Sequence, residues 1–156
     1  MISVVFVCLG NICRSPTAEG VFRHLVESQG LSTQIATDSS GTSGWHIGEA
    51  PDPRAQRTAR TRGIDISDLK SRKSRSEDFE KFDYVLAMDA ANHRDLLAIC
   101  PPGRQDRLHM FMEFAPEIGR LDVPDPYYHD GFDAVFDMLE AASRGLLADI
   151  RDRHGL

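Results

Sequence analysis

A cysteine and an arginine near the start of the chain have the types and spacing needed for phosphate chemistry. They belong to the segment C-L-G-N-I-C-R-S-P, in which five residues separate Cys8 from Arg14 and Ser15. The thiolate of Cys8 would be a strong nucleophile, and the planar guanidinium of Arg14 can hold two oxygens of one phosphate. The hydroxyl of Ser15 can donate a hydrogen bond to the sulfur when the sulfur leaves. The pattern therefore predicts attack of Cys8 on a phosphate ester that Arg14 binds.

The elements that flank this segment would turn it into an anion-binding loop. The apolar run Val4-Val5-Phe6-Val7 predicts a buried strand that stops at Cys8, and Ser15-Pro16 predicts a helix start with Ser15 as its N-cap. A helix N-terminus carries roughly half a positive charge and unpaired N–H groups, which attract phosphate and favour a thiolate. Gly10 lets the backbone curl without a side chain in the way. The predicted phosphate-binding residues are Leu9, Gly10, Asn11, Ile12, Cys13, Arg14 and Ser15.

This loop resembles the signature of the low-molecular-weight protein tyrosine phosphatases, and further matches extend the resemblance over nearly the whole chain. The resemblance implies a doubly wound α/β fold and hydrolysis of phosphotyrosine through a phosphocysteine intermediate. It also implies that neither a metal nor any other cofactor takes part. We expect residues 1–156 to form a single phosphatase domain.

A carboxyl group that could protonate the leaving phenolate lies far along the chain, in Asp125-Pro126-Tyr127-Tyr128. Pro126 biases Asp125 toward an extended backbone, which projects its side chain away from the loop. The segment matches the D-P-Y-Y of the resembled family, so we expect Asp125 to be the general acid and base. Asp122 is the rival carboxylate. Tyr127 and Tyr128 would form one wall of the substrate cleft, and their hydroxyls are candidates for phosphorylation.

The resemblance assigns supporting roles to further residues. An aromatic residue at the position of Trp45 walls the phosphotyrosine cleft, and the apolar Ile12 fits an aromatic ester. A serine at the position of Ser39 bonds the loop asparagine, here Asn11, and would hold the loop in its anion-ready shape. The chain departs from the family at Asp68-Leu69, where many relatives carry a histidine that supports the loop.

Cys13 shares the loop with Cys8 and admits two interpretations. It could be a small apolar side chain used for packing. Alternatively, two thiols on one curl are close enough to form a disulfide that shields Cys8 from irreversible oxidation. We expect Cys13 to have this redox role.

Composition limits the class of protein. The 156 residues fit one domain, and 41% hydrophobic and 27% charged residues are typical of a globular chain. The formal net charge of -6 argues against nucleic-acid binding, which needs a basic surface. Three cysteines without paired C-x-x-C sets argue against a zinc scaffold and a secreted disulfide framework. Because we find no leader-like segment and no membrane-length apolar stretch, we expect a cytoplasmic protein without membrane insertion.

The expected partners follow from the resemblance. It implies a tyrosine-phosphorylated protein as the substrate, with a tyrosine kinase as the opposing enzyme. We expect the chain to act as a monomer or a weak dimer.

Hydrophobic periodicity and turn residues predict alternating strands and helices around the loop. Such alternation is typical of a doubly wound four-stranded parallel sheet with helices on both faces and the flavodoxin-like order 2-1-3-4. The predicted strands after the first are 34–39, 84–88 and 108–112. The predicted helices are 15–30, 54–62, 76–79, 89–99 and 132–153.

Other functions remain compatible with the opening loop. Arsenate reductases of similar fold need a cysteine pair after the third strand, and residues 83–95 contain no cysteine. Phosphoarginine phosphatases tend to carry threonine at the position of Ile12. A thiol redox protein would use Cys8 and Cys13 without needing Asp125, and a phosphotyrosine-binding module would gain little from Cys8 and Asp125 together.

Overall fold

Among residues 1–128 and 130–156, which the computed structural model describes, four parallel strands form one central sheet. Their order across the sheet is β2-β1-β3-β4, and all three pairings are parallel. The strands are β1 (Ile2–Cys8), β2 (Ile35–Gly41), β3 (Tyr84–Ala87) and β4 (Leu108–Met110). The predicted doubly wound α/β sheet with the flavodoxin-like order 2-1-3-4 is confirmed. In such a sheet, ligands bind beyond the carboxyl ends of the strands.

Helices cover both faces of this sheet. They are α1 (Arg14–Ser28), α2 (Pro53–Thr61), α3 (Asp78–Lys81), α4 (Ala90–Ile99) and α5 (Phe132–His154). The first and last of them pack on one face and on each other, while α3 and α4 pack on the opposite face. Helix α2 packs against α1 and α5 near the loop. None of the helices in the described part of the chain is long and apolar enough to cross a membrane.

Strand β1 is apolar throughout because both of its faces are buried. Val4 and Phe6 point into the core formed with α1 and α5, whereas Val5 and Val7 belong to the core on the other face. A central strand of a parallel sheet reads as a continuous apolar run for this reason. The ring of Phe6 meets the ring of Phe22 on α1 at a centroid distance of 5.7 Å. These contacts fix the position at which β1 ends and the loop begins.

The predicted N-cap of α1 is wrong. The helix begins at Arg14 and its cap position is Cys13, which makes no side-chain capping bond. Ser15 lies inside the first turn, where its hydroxyl faces Cys8 and Asn11. Pro16 is tolerated there because the first four N–H groups of a helix have no partner within the helix.

Other boundaries differ by a few residues from the sequence prediction. Strand β4 stops at Met110 because the apolar residues that follow form a 3-10 turn, Phe111–Phe114. Strand β2 continues to Gly41, two residues beyond its predicted end, and α3 begins two residues later than predicted. An apolar run alone does not distinguish a strand from a buried turn, which explains the error at β4.

The ends of β1 and β2 hold the start of the loop. Beyond the last pair of the ladder, Thr42 and Ser43 donate backbone hydrogen bonds to the carbonyls of Cys8 and Leu9, each at 2.9 Å. Gly41 is required for this approach, since a Cβ there would lie 2.8 Å from the carbonyl oxygen of Leu9. The segment after β2 therefore anchors the first residues of the loop.

Candidate active site

The residues from Cys8 to Ser15 form a tight curl between β1 and α1. Asn11 has a φ of 57°, which lies in the left-handed region that few residues other than glycine adopt. This turn directs the backbone N–H of Asn11 back to the sulfur of Cys8, at 3.3 Å. The curl thus places at least one amide donor on the candidate nucleophile.

The side chain of Asn11 fixes the arrangement behind the curl. The backbone N–H of Arg72 can only donate, and it contacts Oδ1 of Asn11 at 3.0 Å. Nδ2 must then face the other way, where it donates to Ser15 at 2.8 Å and to Ser39 at 3.0 Å. The contact expected between Asn11 and Ser39 is therefore present. Each serine must turn a lone pair toward Asn11, so its own proton points elsewhere.

The hydroxyl proton of Ser15 faces two acceptors. The hydroxyl oxygen of Ser15 lies 3.1 Å from the sulfur of Cys8 and 3.4 Å from the carbonyl oxygen of Ser40. Since Asn11 occupies a lone pair of Ser15, the hydroxyl can donate to the sulfur. A thiolate at this position would receive two hydrogen bonds, one from the loop backbone and one from Ser15.

Arg14 is buried and held by two partners. Its Nη1 donates to Oδ2 of Asp89 at 2.7 Å and to the carbonyl oxygen of Val123 at 2.9 Å. Its Nη2 lies 3.6 Å from Oδ2 of Asp125. Burial acts to lower the pKa of the Arg14 guanidinium, but Cys8, Asp89 and Asp125 outweigh burial and raise it. The cation is therefore fixed in place beside the sulfur.

Asp125 lies at the cleft, whereas Asp122 does not. One oxygen of Asp125 accepts the backbone N–H of Tyr127 at 3.0 Å, and the other faces Arg14. Asp122 instead accepts the backbone N–H of Ala90 at 2.9 Å, at the start of α4. Of the two carboxylates considered from the sequence, only Asp125 lies beside Cys8 and Arg14.

A cavity of about 160 Å³ opens above the curl. Its lining includes the buried Cys8 and three exposed aromatic residues, Trp45, Tyr127 and Tyr128. The rings of Tyr127 and Tyr128 lie 5.0 Å apart and close to perpendicular. The remaining lining residues are Leu9, Gly10, Ile12, Cys13, Arg14, His46 and Asp125. Asn11, Ser15 and Ser39 lie outside this lining, behind the curl.

The start of α2 supports the tyrosine wall. Asp52 caps this helix through the backbone N–H of Arg54, at 2.8 Å, and also pairs with the guanidinium of Arg54. That guanidinium lies 5.4 Å from the ring centroid of Tyr127. Burial acts to raise the pKa of Asp52, but its bonds with Arg54 outweigh burial and lower it. The backbone N–H of Asp52 also reaches the carbonyl oxygen of Ile12 at 2.7 Å, which joins α2 to the curl.

Cys13 is a buried free thiol, as Cys8 is. Burial raises the pKa of Cys13, and the charges of Asp52, Cys8 and Asp125 act in the same direction. Cys13 therefore stays protonated at neutral pH and is a poor nucleophile. Its predicted redox role stays a prediction.

Three groups at this site were missing from the sequence-based prediction. Asp89 caps α4 by accepting the backbone N–H of Asn92 at 2.8 Å, and it also binds Arg14. Its position just after β3, the strand beside β1, is the signal that could have indicated this. His46 lines the cavity, and its Nδ1 lies 2.9 Å from Oε2 of Glu49. The backbone N–H of Arg72 could not be placed from the sequence.

The region of the missing family histidine has a different arrangement in this chain. Asp68 pairs with Arg23 of α1 at 3.1 Å rather than with the loop. The curl receives its support from the next segment, where Ser71 donates to the carbonyl oxygen of Gly10 at 3.2 Å and Arg72 contacts Asn11. Within residues 1–128 and 130–156, no group of three or more histidine, cysteine or carboxylate side chains is arranged to hold a metal ion.

Comparisons with known proteins agree with this geometry. The family model for low molecular weight phosphotyrosine protein phosphatase matches residues 3–154. The chain is 40% identical to the low molecular weight protein-tyrosine-phosphatase YfkJ of Bacillus subtilis, over 97% of each chain. It is 44% identical to a low molecular weight protein-tyrosine-phosphatase of Streptomyces coelicolor, over 96% of this chain and 94% of the relative. The crystal structure of YfkJ superimposes with a TM-score of 0.95 and 39% identity, covering 98% of this chain and 96% of YfkJ.

Proposed function

Since the chain belongs to the low-molecular-weight phosphotyrosine protein phosphatase family and is a phosphatase of that kind, we propose that Cys8, Arg14 and Asp125 perform its reaction. The observation that carries this proposal is their arrangement around one cavity. The sulfur of Cys8 lies beside a fixed guanidinium, and Asp125 is the carboxylate that reaches the same space.

In the first step, the thiolate of Cys8 attacks the phosphorus atom in line with the bond to the tyrosine oxygen. A sulfur–phosphorus bond forms while the phosphorus–oxygen bond breaks. Asp125, entering this step protonated, donates its proton to the departing phenolate. Arg14 and the backbone amides of residues 9–15 take up the charge on the three equatorial oxygens.

In the second step, water attacks the phosphocysteine. Asp125, now a carboxylate, accepts the proton of the water, and the sulfur–phosphorus bond breaks. The sulfur leaves as a thiolate, which the hydroxyl of Ser15 and the backbone N–H of Asn11 stabilise by hydrogen bonds. Inorganic phosphate then departs, and the enzyme is back in its starting state, with Cys8 a thiolate and Asp125 protonated by the water.

The shape of the cleft supports an aromatic phosphate ester as the substrate. A phosphate bound in the curl would leave the attached ring between the indole of Trp45 and the ring pair of Tyr127 and Tyr128. Aromatic rings prefer such edge and face contacts. The apolar side chain of Ile12 adds to the same lining.

We extend the proposal to the cellular setting. The substrate is a tyrosine-phosphorylated protein, and a tyrosine kinase opposes the enzyme. Because catalysis needs Cys8 as a free thiol, the protein acts in a reducing compartment, which favours the cytoplasm. Residues 1–156 act as one phosphatase domain, in a monomer or a weak dimer.

The experiment tests four substrates, each with the parent chain and with Cys8→Ser: a phosphotyrosine peptide, p-nitrophenyl phosphate, phosphoarginine and arsenate. The parent should release phosphate from a phosphotyrosine peptide and from p-nitrophenyl phosphate, and Cys8→Ser should release none above background. Preferential release from phosphoarginine would favour the phosphoarginine phosphatase instead. Thiol-dependent reduction of arsenate would favour the reductase. Turnover by Cys8→Ser would contradict the assignment of the nucleophile.

A further inference from the structure

The guanidinium of Arg72 joins two carboxylates that the proposed reaction does not use. Its Nε donates to Oδ2 of Asp38 on β2 at 3.1 Å, and its Nη1 donates to Oδ2 of Asp78 on α3 at 3.0 Å. Asp78 is buried, and the side chain of Arg72 is 24% exposed. We call these three residues the Arg72 cluster.

The main chain of Arg72 contacts the curl directly. Its backbone N–H donates to Oδ1 of Asn11 at 3.0 Å, and the hydroxyl of the neighbouring Ser71 donates to the carbonyl oxygen of Gly10 at 3.2 Å. Because a backbone N–H can only donate, its contact with Asn11 determines which way the amide faces. The position of this one N–H therefore decides whether Nδ2 of Asn11 faces Ser15, to which it donates at 2.8 Å.

The Arg72 cluster also joins the two segments that contact the amide of Asn11 from outside the curl. Oδ1 of Asn11 faces the backbone of Arg72, and Nδ2 also donates to Ser39. Ser39 follows Asp38, whose Oδ1 accepts the backbone N–H of Ser39 at 2.8 Å while its Oδ2 accepts Arg72. The ion pair between Arg72 and Asp38 therefore fixes these two contacts of Asn11 relative to each other.

Asp78 connects this arrangement to the core of the protein. Backbone hydrogen bonds hold the Arg72 segment at Gly41 and at residues 48–49, and residues 48–49 are exposed. Asp78 is buried instead, and the adjacent Phe79 lies fully buried in the core on the face of the sheet opposite α1. The Arg72 cluster thus gives the segment an anchor in a tightly packed part of the molecule.

The chemistry of the cluster suits an arginine. Burial acts to lower the pKa of the Arg72 guanidinium, but Asp78 and Asp38 outweigh burial and raise it, so the side chain stays a cation. A planar guanidinium donates to two carboxylates in fixed directions, whereas a lysine ammonium is a single flexible point charge. A lysine would therefore keep the charge but hold the segment less firmly.

We propose that Arg72 is a positioning residue of the catalytic loop. Its side chain, held by Asp38 and Asp78, fixes the backbone N–H that orients the amide of Asn11. That amide in turn holds the hydroxyl of Ser15 beside the sulfur of Cys8. This inference rests on the proposed function of the loop and adds to it a set of charged side chains outside the lining of the cavity.

The test compares side chains that retain part or none of the cluster. Arg72→Lys keeps the cation and Arg72→Met removes it, while the backbone N–H stays in both variants. With p-nitrophenyl phosphate, kcat should fall by about 10-fold to 100-fold in Arg72→Met, since small displacements of catalytic groups have effects of this size, and by less in Arg72→Lys. Arg104→Met is the matched control, because it breaks a 3.0 Å ion pair with Glu80 on the same helix α3. The control should keep the kcat of the parent.

A double-mutant cycle with Asn11→Gly separates positioning from a general effect on the fold. Glycine accepts the φ of 57° at this position but has no amide for Arg72 to orient. If Arg72 acts through Asn11, Arg72→Met should lower kcat in the parent but have little further effect in Asn11→Gly. The inhibition constant of inorganic phosphate should follow the same pattern, because a misplaced curl also binds the anion less well.

Three results would overturn the inference. The first is an equal loss of kcat in the parent and in Asn11→Gly, and the second is an unchanged kcat in a folded Arg72→Met. The third is failure of both Arg72→Lys and Arg72→Met to fold, as judged by circular dichroism, because the cluster would then serve the fold rather than the loop. If Arg72→Met alone fails to fold, the same cycle with Arg72→Lys decides between the outcomes. A parent chain without phosphatase activity would instead overturn the proposed function itself.

Discussion

The curl and the rim of the cleft are built in opposite ways. In the curl, Cys8, Asn11, Arg14 and Ser15 are each 3% exposed or less, and the side chain of each makes a polar contact at a distance between 2.7 and 3.3 Å. At the rim, Trp45 is 73% exposed and Tyr128 is 67% exposed. The two regions meet within one cavity but differ in how strongly the protein determines their geometry.

This difference indicates that the curl and the rim have different functions. Charge that develops during phosphoryl transfer is stabilised best by groups that do not have to move, and the buried curl supplies such groups. Exposed aromatic side chains can adapt to different peptides at small cost, and the rim supplies those. We therefore expect changes in the curl to affect kcat, and changes in the rim to affect KM.

Among the changes that test this difference, Arg14→Lys should have the largest effect on kcat. A lysine keeps the charge but cannot hold Asp89 and two phosphate oxygens together, so kcat should fall by about 100-fold to 1,000-fold. Steady-state kinetics with a phosphotyrosine peptide measure the loss. Arg57→Lys, on the exposed side of α2, is the matched control and should leave kcat unchanged. Normal kcat in Arg14→Lys would mean that the buried guanidinium is not essential.

The next effect should come from Asp125→Asn, which keeps the contact with Tyr127 but removes the proton donor. The value of kcat/KM, which reports formation of the phosphocysteine, should fall by about 100-fold or more for phosphotyrosine and less for p-nitrophenyl phosphate, because nitrophenolate leaves without a proton. Asp122→Asn, the matched control, should leave both values near those of the parent. Equal losses for the two substrates in Asp125→Asn would contradict the role of general acid.

Trp45→Ala tests the other side of the comparison. Removing the indole should raise KM for a phosphotyrosine peptide by about 5-fold to 10-fold with little change in kcat, since one aromatic contact of the bound ring is lost. The inhibition constant of inorganic phosphate should stay the same, because phosphate contacts only the curl. A fall in kcat without a change in KM would show that the rim takes part in the chemical step.

The smallest effect concerns stability and pH. Burial raises the pKa of Glu19 of α1 in the folded state. At pH values between the pKa of Glu19 in the unfolded chain and its pKa in the folded chain, the folded chain therefore retains a proton that the unfolded chain has lost. The stability of the parent should therefore decrease as pH rises through this range, whereas Glu19→Gln does not titrate. The Tm of Glu19→Gln relative to the parent should increase as pH rises above about 4.3, the ordinary pKa of a glutamate. A difference that stays constant with pH, as expected for the control Glu27→Gln, would contradict the raised pKa.

Local patterns in the sequence were sufficient for much of the fold. The apolar run of β1, the hydrophobic periodicity of the predicted helices and the turn residues between elements predicted the alternation of strands and helices, because each is a pattern within a few residues. The two sequence motifs also predicted that Cys8, Arg14 and Asp125 lie close together, since a loop after β1 and a loop after β4 meet at the same edge of a parallel sheet.

Contacts between distant segments could not be predicted in the same way. The position of Asp89 just after β3 indicates the edge of the sheet, but its bond to Arg14 also depends on the register of β1 against β3, which no local pattern contains. The backbone N–H that orients Asn11 belongs to a loop residue, Arg72, whose main-chain path has no sequence signature. The position of Ser15 inside α1 rather than at its cap follows from its bonds to Cys8 and Asn11, which outweigh local capping preference.

The central claim is that the buried curl carries a covalent intermediate on Cys8. Rapid-quench measurement with a phosphotyrosine peptide tests it most directly, by following released tyrosine product and the phosphorylated peptide fragment that contains Cys8. We predict a burst of product equal to the enzyme concentration, together with one phosphoryl group on the sulfur of Cys8. Turnover without a burst, with the phosphoryl group found on another residue or on none, would contradict the account.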